Sequence, residues 1–308
     1  MSPPPGAPPS RPPPSRPSLR GLAPVVLVLG KGGVGKTTVA AGLAALDAET
    51  VGMSTLVEMG DGIAGRRALA GARKGVEHLV LQPDECLQRG ATPIFGSAVL
   101  AKLALGNFAM KPLLRAAPAI RELAMLDAVR RAATERPGVR LVVDMPATGH
   151  SVAWLRIPKQ GRALLGEGPL FDMCEQLSRE LLAPGRVSLV VVTLPEPLVL
   201  EETLELCAQL TAETGLPVDR ILVNRVPSAE DPAALVDARA LAEKPGPLAE
   251  HAKTLASVLA ARQAAAAAAA DALAPLSREG RALWRLPLCP VDPSARDVAR
   301  WLRAEGAP

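Results

Sequence analysis

The sequence has 308 residues, of which 48% are apolar and 21% are charged, a composition typical of a soluble globular domain with one sizeable core. Aromatic residues make up only 2% and include no tyrosine, which argues against proteins that bind single-stranded nucleic acid by stacking bases on aromatic rings. The formal net charge is +4, but three arginines near the N-terminus supply most of it, so we expect neither a basic face nor a nucleic-acid partner.

Residues 1–21 are a proline- and arginine-rich segment with little to bury. Nine of the 31 prolines lie within the first 17 positions, which predicts a disordered tail with polyproline II character. A docking arm for a proline-reading module or an acidic surface is the alternative. Residues 22–308 are expected to form a single domain.

The four cysteines and three histidines show no metal-binding spacing. Because the sequence has no CxxC pair, we expect no structural zinc. Scattered thiols are typical of a reducing compartment rather than of a disulfide scaffold. No apolar run reaches the length of a membrane helix, which takes about 18 residues. The sequence therefore predicts a cytoplasmic protein.

Short apolar runs alternate along the chain with helical segments. Seven runs are predicted strands: Val25–Leu29, Thr55–Glu58, Val76–Leu81, Arg140–Asp144, Val187–Thr193, Arg220–Asn224 and Leu283–Leu286. Helices are predicted over Thr37–Thr50, Glu201–Thr214 and about Leu248–Leu273. Most of the runs are apolar throughout rather than alternating, as in parallel strands that are buried on both faces. The pattern predicts a doubly wound, mostly parallel α/β sheet.

Two insertions interrupt this alternation and are expected to form a helical subdomain. They cover about residues 84–136 and 160–182. The first carries apolar residues at helical spacing, among them Leu103, Phe108 and Leu113. The simplest interpretation is that these helices pack on the sheet and on each other.

A glycine-rich segment, Gly30 to Thr37, follows the first predicted strand and opens the first predicted helix. It reads G-x-x-x-x-G-K-T, and in this context the motif predicts a phosphate-binding loop rather than a simple connecting turn. Lys36 is placed to reach the β- and γ-phosphates of a nucleotide, and the Thr37 hydroxyl to bind Mg²⁺. The predicted nucleotide-binding residues here are Gly30, Gly32, Gly33, Val34, Gly35, Lys36, Thr37 and Thr38.

A second lysine, Lys31, directly follows the first glycine of the loop. With it the loop resembles the deviant Walker A P-loop ATPases. These include partition and division-site ATPases, the nitrogenase iron protein, and arsenical-pump and tail-anchored-protein targeting ATPases. The resemblance implies that Lys31 reaches the nucleotide of a partner subunit across a homodimer interface, as a catalytic residue beside Lys36. A solvated loop lysine is the alternative.

The segment Leu141 to His150 resembles one branch of that family. Asp144 ends an apolar strand, where a carboxylate lies beside the phosphate loop and can hold a Mg²⁺-bound water. The D-x-P-x-T-G-H motif that begins at Asp144 resembles the arsenical-pump and targeting branch more than the partition branch. The stretches Thr193–Thr203 and Ile221–Val226 are also similar to that branch. Within the motif, His150 is expected to position the loop by a hydrogen bond.

The segment after the second predicted strand corresponds to the first switch of this family, the segment that carries the residue orienting the attacking water. Here it departs from the family pattern. Where the family carries S-T-D-P-A, this sequence has Thr55-Leu-Val-Glu-Met-Gly-Asp61-Gly. Asp61 lies in register with the aspartate that orients the attacking water and is our catalytic candidate. Glu58, at the end of the strand, competes with it, and either carboxylate could simply belong to a surface turn.

Further site residues rest on the same resemblance. Asn224 would read adenine through its amide, with a capping role as the alternative. Pro287 and Pro290 belong to a segment that resembles the loop covering the other side of the base. Glu202 resembles a residue that faces the partner's nucleotide, although most helix glutamates are only solvated. The segment Ser294–Arg303 is expected to be a docked closing helix rather than a membrane-binding tail.

The leading functional hypothesis is a dimeric, Mg²⁺-dependent ATPase of the arsenical-pump and targeting type. Its ATP state would control a protein client or membrane partner, and the resemblance implies that two subunits pool the first insertion into a groove for a hydrophobic segment. One alternative is a positioning ATPase of the partition type, which binds DNA or membrane. Another is a nucleotide-binding regulator that scarcely hydrolyses ATP.

Overall fold

The computed structural model describes residues 21–72, 74–95, 118–228, 231–278 and 283–305. These ranges contain seven strands: β1 Val25–Gly30, β2 Ser54–Met59, β3 Val76–Leu81, β4 Arg140–Asp144, β5 Val187–Thr193, β6 Val218–Val226 and β7 Leu283–Pro287. All pair in parallel in one sheet, in the order β3-β2-β4-β1-β5-β6-β7. Every predicted strand falls within an observed one, and the doubly wound α/β fold is confirmed.

The helices cover both faces of the sheet. They are α1 Lys36–Val51, α2 Ile63–Ala68, α3 Pro83–Phe95, α4 Pro118–Glu135, α5 Thr148–Leu164, α6 Pro169–Gln176, α7 Pro197–Thr214, α8 Pro232–Ala242, α9 Ala249–Arg278 and α10 Ala295–Ala304. A π-helical turn, Leu177–Leu181, continues α6. Helix α7 starts four residues before its predicted start at Glu201, because Pro197 fits the first turn of a helix, where no N–H partner is lost. None of the helices in the described ranges has both the length and the hydropathy to span a lipid bilayer.

Alternate residues of the central strands enter two separate cores. Leu27 of β1 lies in the core shared with α4, α5 and α7, whereas Val28 lies in the core shared with α1 and α10. This is the expected consequence of side chains that alternate across a sheet covered on both faces. It explains why the predicted strands are apolar throughout.

The described parts of the two insertions pack on the sheet. Leu126 and Val129 of α4, with Cys174 and Leu177 of the second insertion, are buried in the core that contains Leu27. Residues 96–117, which include Leu103, Phe108 and Leu113, lie outside the described residues.

The C-terminal helix docks on α1, the helix that follows the phosphate loop. A capping box between Ser294 and Asp297 starts α10. Val298 and Leu302 are buried against α1, where Gly42 leaves room for the Val298 side chain. The closing helix therefore supports the element that carries the loop.

Candidate nucleotide-binding site

The candidate site lies at the carboxyl ends of three neighbouring strands. Val28 of β1 and Glu58 of β2 both pair in register with Asp144 at the end of β4. The loop of residues 30–35 leaves β1 at the same edge and leads into α1. In a parallel sheet this edge is where ligands bind, and the fold brings the loop and the two carboxylates to it.

Two glycines of the loop adopt a backbone that side chains would disturb. Gly30 has φ +148°, and a Cβ there would lie 2.4 Å from the carbonyl oxygen of Val192 on β5. Gly35 has φ +93° and is the N-cap of α1. These conformations favour glycine because it lacks the Cβ that clashes at positive φ. The loop can therefore turn tightly from strand into helix.

The first turn of α1 has the features of an anion-binding site. No side chain in the described ranges caps it, so its leading N–H groups are available to a ligand. The positive end of the helix dipole favours negative charge at the same place. Lys36, Thr37 and Thr38 lie in this turn and are half-buried. The arrangement fits the phosphates of a nucleotide.

Lys36 bonds to its own loop in this structure. Its Nζ donates to the carbonyl oxygen of Lys31 at 2.9 Å. Burial lowers the pKa of Lys36, an effect that the Asp144 carboxylate partly offsets. An anion at the loop would compensate for the burial of the ammonium group, which makes this lysine a suitable phosphate ligand.

Asp144 and Thr37 form the candidate Mg²⁺ site. The Thr37 hydroxyl donates to Oδ2 of Asp144 at 2.5 Å, whereas the buried Oδ1 has no partner in the described structure. Burial raises the pKa of Asp144 to about 6; the hydrogen bond from Thr37 and the charge of Lys36 act against burial, and Glu58 acts with it. An orphaned carboxylate oxygen beside a hydroxyl suits a hard cation or its bound water. These residues fit Mg²⁺.

Lys31 is paired within its own chain. Its Nζ lies 2.7 and 2.5 Å from the two carboxylate oxygens of Glu202 on α7. Both side chains are partly exposed, at 50% and 40%. Lys31 is thus turned toward α7 of the same molecule, and Glu202 is more than a solvated helix residue.

The two first-switch carboxylates have different surroundings. Asp61 is exposed, and its Oδ1 accepts the N–H of Ile63 at 3.0 Å in the turn before α2. Glu58 is buried, and its Oε2 accepts the N–H of Gly65 and bonds His78 Nε2, both at 2.9 Å. The contribution of His78 and Gly65 could not be read from the sequence, because each meets Glu58 only after β2, β3 and α2 come together.

Asn224 joins β6 to the phosphate loop. Its Nδ2 donates to the carbonyl oxygen of Val34 at 2.9 Å, and its Oδ1 accepts the N–H of Arg225. Arg225 has φ +57°, an unusual value for a residue other than glycine, and it lies beside a shift in the pairing of β6 with β7. In this structure the Asn224 amide therefore supports the loop.

The segment after β7 is held close to Asn224. The N–H of Leu288 donates to the carbonyl oxygen of Val226 at 2.8 Å. Pro287 is half-buried and Pro290 is exposed at this edge of the sheet. Their position suits a wall for the nucleotide base. His150 belongs to the first turn of α5, and its side chain lies outside the described part of the structure.

Comparison with known proteins supports an ATP-related site. The chain is 28% identical over 234 residues to the ATPase BagA of Mycobacterium tuberculosis, which covers 69% of this chain and 68% of that protein. The chain shows the same identity and coverage with one relative from Mycobacterium bovis and one from a second M. tuberculosis strain. The names of both relatives assign ATPase activity provisionally. No protein-family model matches the chain.

Proposed function

We propose that this protein is a Mg²⁺-dependent ATPase that works as a homodimer and couples its ATP state to a client or partner. The observation that carries the proposal is the loop of residues 30–37 beside Asp144, whose buried Oδ1 lacks a partner among the described residues. Relatives named ATPases, aligned over about two thirds of the chain, support the activity.

Each residue has a defined task in binding ATP. The N–H groups at the start of α1 and the ammonium group of Lys36 bind the β- and γ-phosphates. Thr37 would bind Mg²⁺ through its hydroxyl, and Asp144 would hold it through a water. When bound, Mg²⁺ neutralises negative charge on the phosphates. Asn224, Pro287 and Pro290 face the base.

The dimer is proposed from Lys31. In the deviant Walker A ATPases that the loop resembles, the corresponding lysine reaches the nucleotide of a partner subunit, and here Lys31 lies at the exposed rim of the loop. Its present partner, Glu202, is a carboxylate, so Lys31 already occupies a position where it meets negative charge. In the dimer, a phosphate group of the nucleotide bound to the second subunit would replace that carboxylate.

Coupling to a client is proposed to pass through α5. This helix begins four residues after Asp144, and its Leu155 is buried among the helices on that face of the sheet. Arg156 of α5 bonds Glu213 of α7 at 2.9 Å, and α7 also carries Glu202. A shift of the segment after Asp144 on ATP binding would therefore reach two helices. The resemblance to the targeting branch makes a hydrophobic client the first candidate.

Phosphate release from ATP by the purified protein tests the activity. We expect turnover that needs Mg²⁺, stops with a chelator and is lost in Lys36→Ala. Lys253→Ala on the exposed side of α9 is the matched control and should hydrolyse ATP normally, because Lys253 pairs with Glu250 of the same helix. ATP binding without Lys36-dependent turnover would instead favour a nucleotide-binding regulator.

Light scattering with ATP and Mg²⁺ tests the assembly. We expect a homodimer with ATP and a shift toward monomer in Lys31→Ala. A chain that stays monomeric with ATP and Mg²⁺ while turning over normally would contradict the proposed role of Lys31 in a second subunit.

A further inference from the structure

Glu58 is a buried carboxylate that has no role in the binding of ATP proposed above. We propose that Glu58 orients the attacking water in ATP hydrolysis and that His78 is its positioning residue. This inference rests on the proposed ATPase function and decides between the two first-switch carboxylates. It adds a residue, His78, that no sequence motif indicated.

The sheet places Glu58 next to the candidate Mg²⁺ site. Glu58 and Asp144 are register partners on the neighbouring strands β2 and β4. Two residues earlier on the same strands, Leu56 and Val142 line the core that is shared with α1. Because side chains two apart in a strand share a face, both carboxylates project toward α1 and its phosphate loop. Glu58 is thus at the correct edge and on the correct face.

Two hydrogen bonds fix one oxygen of Glu58 and leave the other free. Oε2 accepts the N–H of Gly65, and since a carboxylate can only accept, His78 Nε2–H is the donor of the second bond. Oε1 has no partner among the described residues. A carboxylate that is anchored through one oxygen can hold a water through the other without rotating.

Gly65 is part of the same arrangement. A Cβ at this position would lie 2.4 Å from Oε2 of Glu58 and 2.7 Å from Nε2 of His78. Only glycine therefore lets the first turn of α2 approach the pair so closely. Substitution of Gly65 offers a way to move the carboxylate without changing its chemistry.

Asp61 is less well placed for this task. Its side chain is exposed, and its Oδ1 closes the turn to Ile63. Glu58 is only 6% exposed and is fixed from β3 and α2. Preorganised groups accelerate a reaction because they need no rearrangement when it occurs.

The step is a displacement at the γ-phosphorus. The water oxygen, oriented by Oε1 of Glu58, forms a bond to the γ-phosphorus. The bond from that phosphorus to the β–γ bridging oxygen breaks, and its electron pair leaves on ADP. One proton of the water stays on the attacking oxygen, and the other passes to another oxygen of the product phosphate. Glu58 holds the water in line, and His78 holds Glu58.

The experiment measures kcat, KM, ATP affinity and thermal unfolding for matched variants. We expect Glu58→Gln to lower kcat by at least about 100-fold with ATP affinity within about threefold of the parent. His78→Leu should lower kcat about tenfold at constant KM, because a misplaced group costs rate rather than binding. His78→Gln, which keeps a donor, should recover most of that loss. Gly65→Ala should behave like His78→Leu.

Control variants separate this role from general damage. Glu77→Gln alters the residue next to His78 on β3, where Glu77 pairs with Arg136, and should leave kcat unchanged. Asp61→Asn is not a control but the variant that discriminates between the two carboxylates, and it should lower kcat far less than Glu58→Gln does. If Glu58→Gln does not fold, the contrast between His78→Leu and His78→Gln still carries the test.

Three results would overturn the inference. The first is normal turnover in Glu58→Gln or in His78→Leu. The second is loss of turnover in Asp61→Asn with Glu58→Gln unaffected. The third is an equal loss of kcat and unfolding temperature in His78→Leu and His78→Gln, which would make His78 a structural residue only. Failure of the proposed ATPase function gives a different result from failure of this inference. In that case the parent protein would hydrolyse ATP no faster than Lys36→Ala.

Discussion

Lys31 and Glu202 form an ion pair within one chain, with 2.5 Å between Nζ and the nearer carboxylate oxygen. Exposed pairs of this kind contribute about 0.2–1 kcal/mol to stability because water solvates both partners. Lys31 can therefore leave Glu202 at small cost when a better anion approaches. A phosphate group of the nucleotide bound to a second subunit would be such an anion. The Lys31–Glu202 pair therefore competes with the proposed contact of Lys31 across the dimer interface.

We predict that Glu202→Gln promotes dimer formation. Loss of the carboxylate removes the competing partner of Lys31, and about 1 kcal/mol corresponds to a factor of about five in an equilibrium constant. ATP turnover per chain should reach half its maximum at a protein concentration up to about fivefold lower than for the parent. Turnover measured over a concentration series checks this.

Lys31→Ala is the matched control for that prediction. It removes both the intrachain pair and the proposed contact to the partner, so turnover per chain should be low and independent of concentration. A Glu202→Gln variant that needs more protein than the parent would show that Glu202 supports the active assembly instead.

Asp144→Asn should stabilise the protein when no nucleotide is bound. Burial raises the pKa of Asp144 from 3.8 to about 6, so between these values the folded protein keeps a proton that the unfolded chain has lost. The favourable contribution is present below pH 3.8 and is lost as the pH rises through about 6. At pH 8 the ionised carboxylate therefore costs up to about 3 kcal/mol of the free energy of unfolding. Asparagine removes this cost and can still accept the Thr37 hydrogen bond.

Urea unfolding with and without Mg²⁺ and ATP checks the Asp144 prediction. The variant should be more stable than the parent at pH 8, and the gain should fall to about a third of that value at pH 4.5. Addition of Mg²⁺ and ATP should stabilise the parent and have a much smaller effect on Asp144→Asn. A variant that is less stable than the parent at pH 8 without ligand would contradict the assigned cost of burial.

The sheet and the phosphate loop could be predicted from the sequence because both depend on local signals. Continuous apolar runs mark parallel strands, and the loop motif has a fixed spacing between a strand and a helix. The Glu58–His78 contact joins residues 20 positions apart on different strands, and no local pattern encodes it. The contact from Asn224 to Val34 spans 190 positions and likewise depends on the finished sheet.

Asn224→Ala should weaken ATP binding and reduce the preference for ATP over GTP. The substitution removes the hydrogen bond to Val34, which supports the loop for any nucleotide, and the amide proposed to read adenine. Leaving this part-buried acceptor without its donor costs about 1–3 kcal/mol, so we expect a loss of ATP affinity of roughly five- to 150-fold. Titration with both nucleotides measures it. An equal loss for ATP and GTP would leave Asn224 with the loop-supporting role alone.

Gly42→Ala tests the contact between α1 and the C-terminal helix. In an isolated helix this change stabilises by about 0.5–1 kcal/mol. Here a Cβ would lie 2.1 Å from Cγ1 and 2.4 Å from Cβ of Val298, whose side chain is buried. Overpacking of this kind costs about 1–3 kcal/mol, so packing outweighs helix propensity and the variant should be less stable than the parent. Val298→Gly removes both atoms that clash, so the double variant should be more stable than the sum of the single changes by at least about 1 kcal/mol in urea unfolding. Additive effects would show that α10 does not sit on Gly42 as the structure places it.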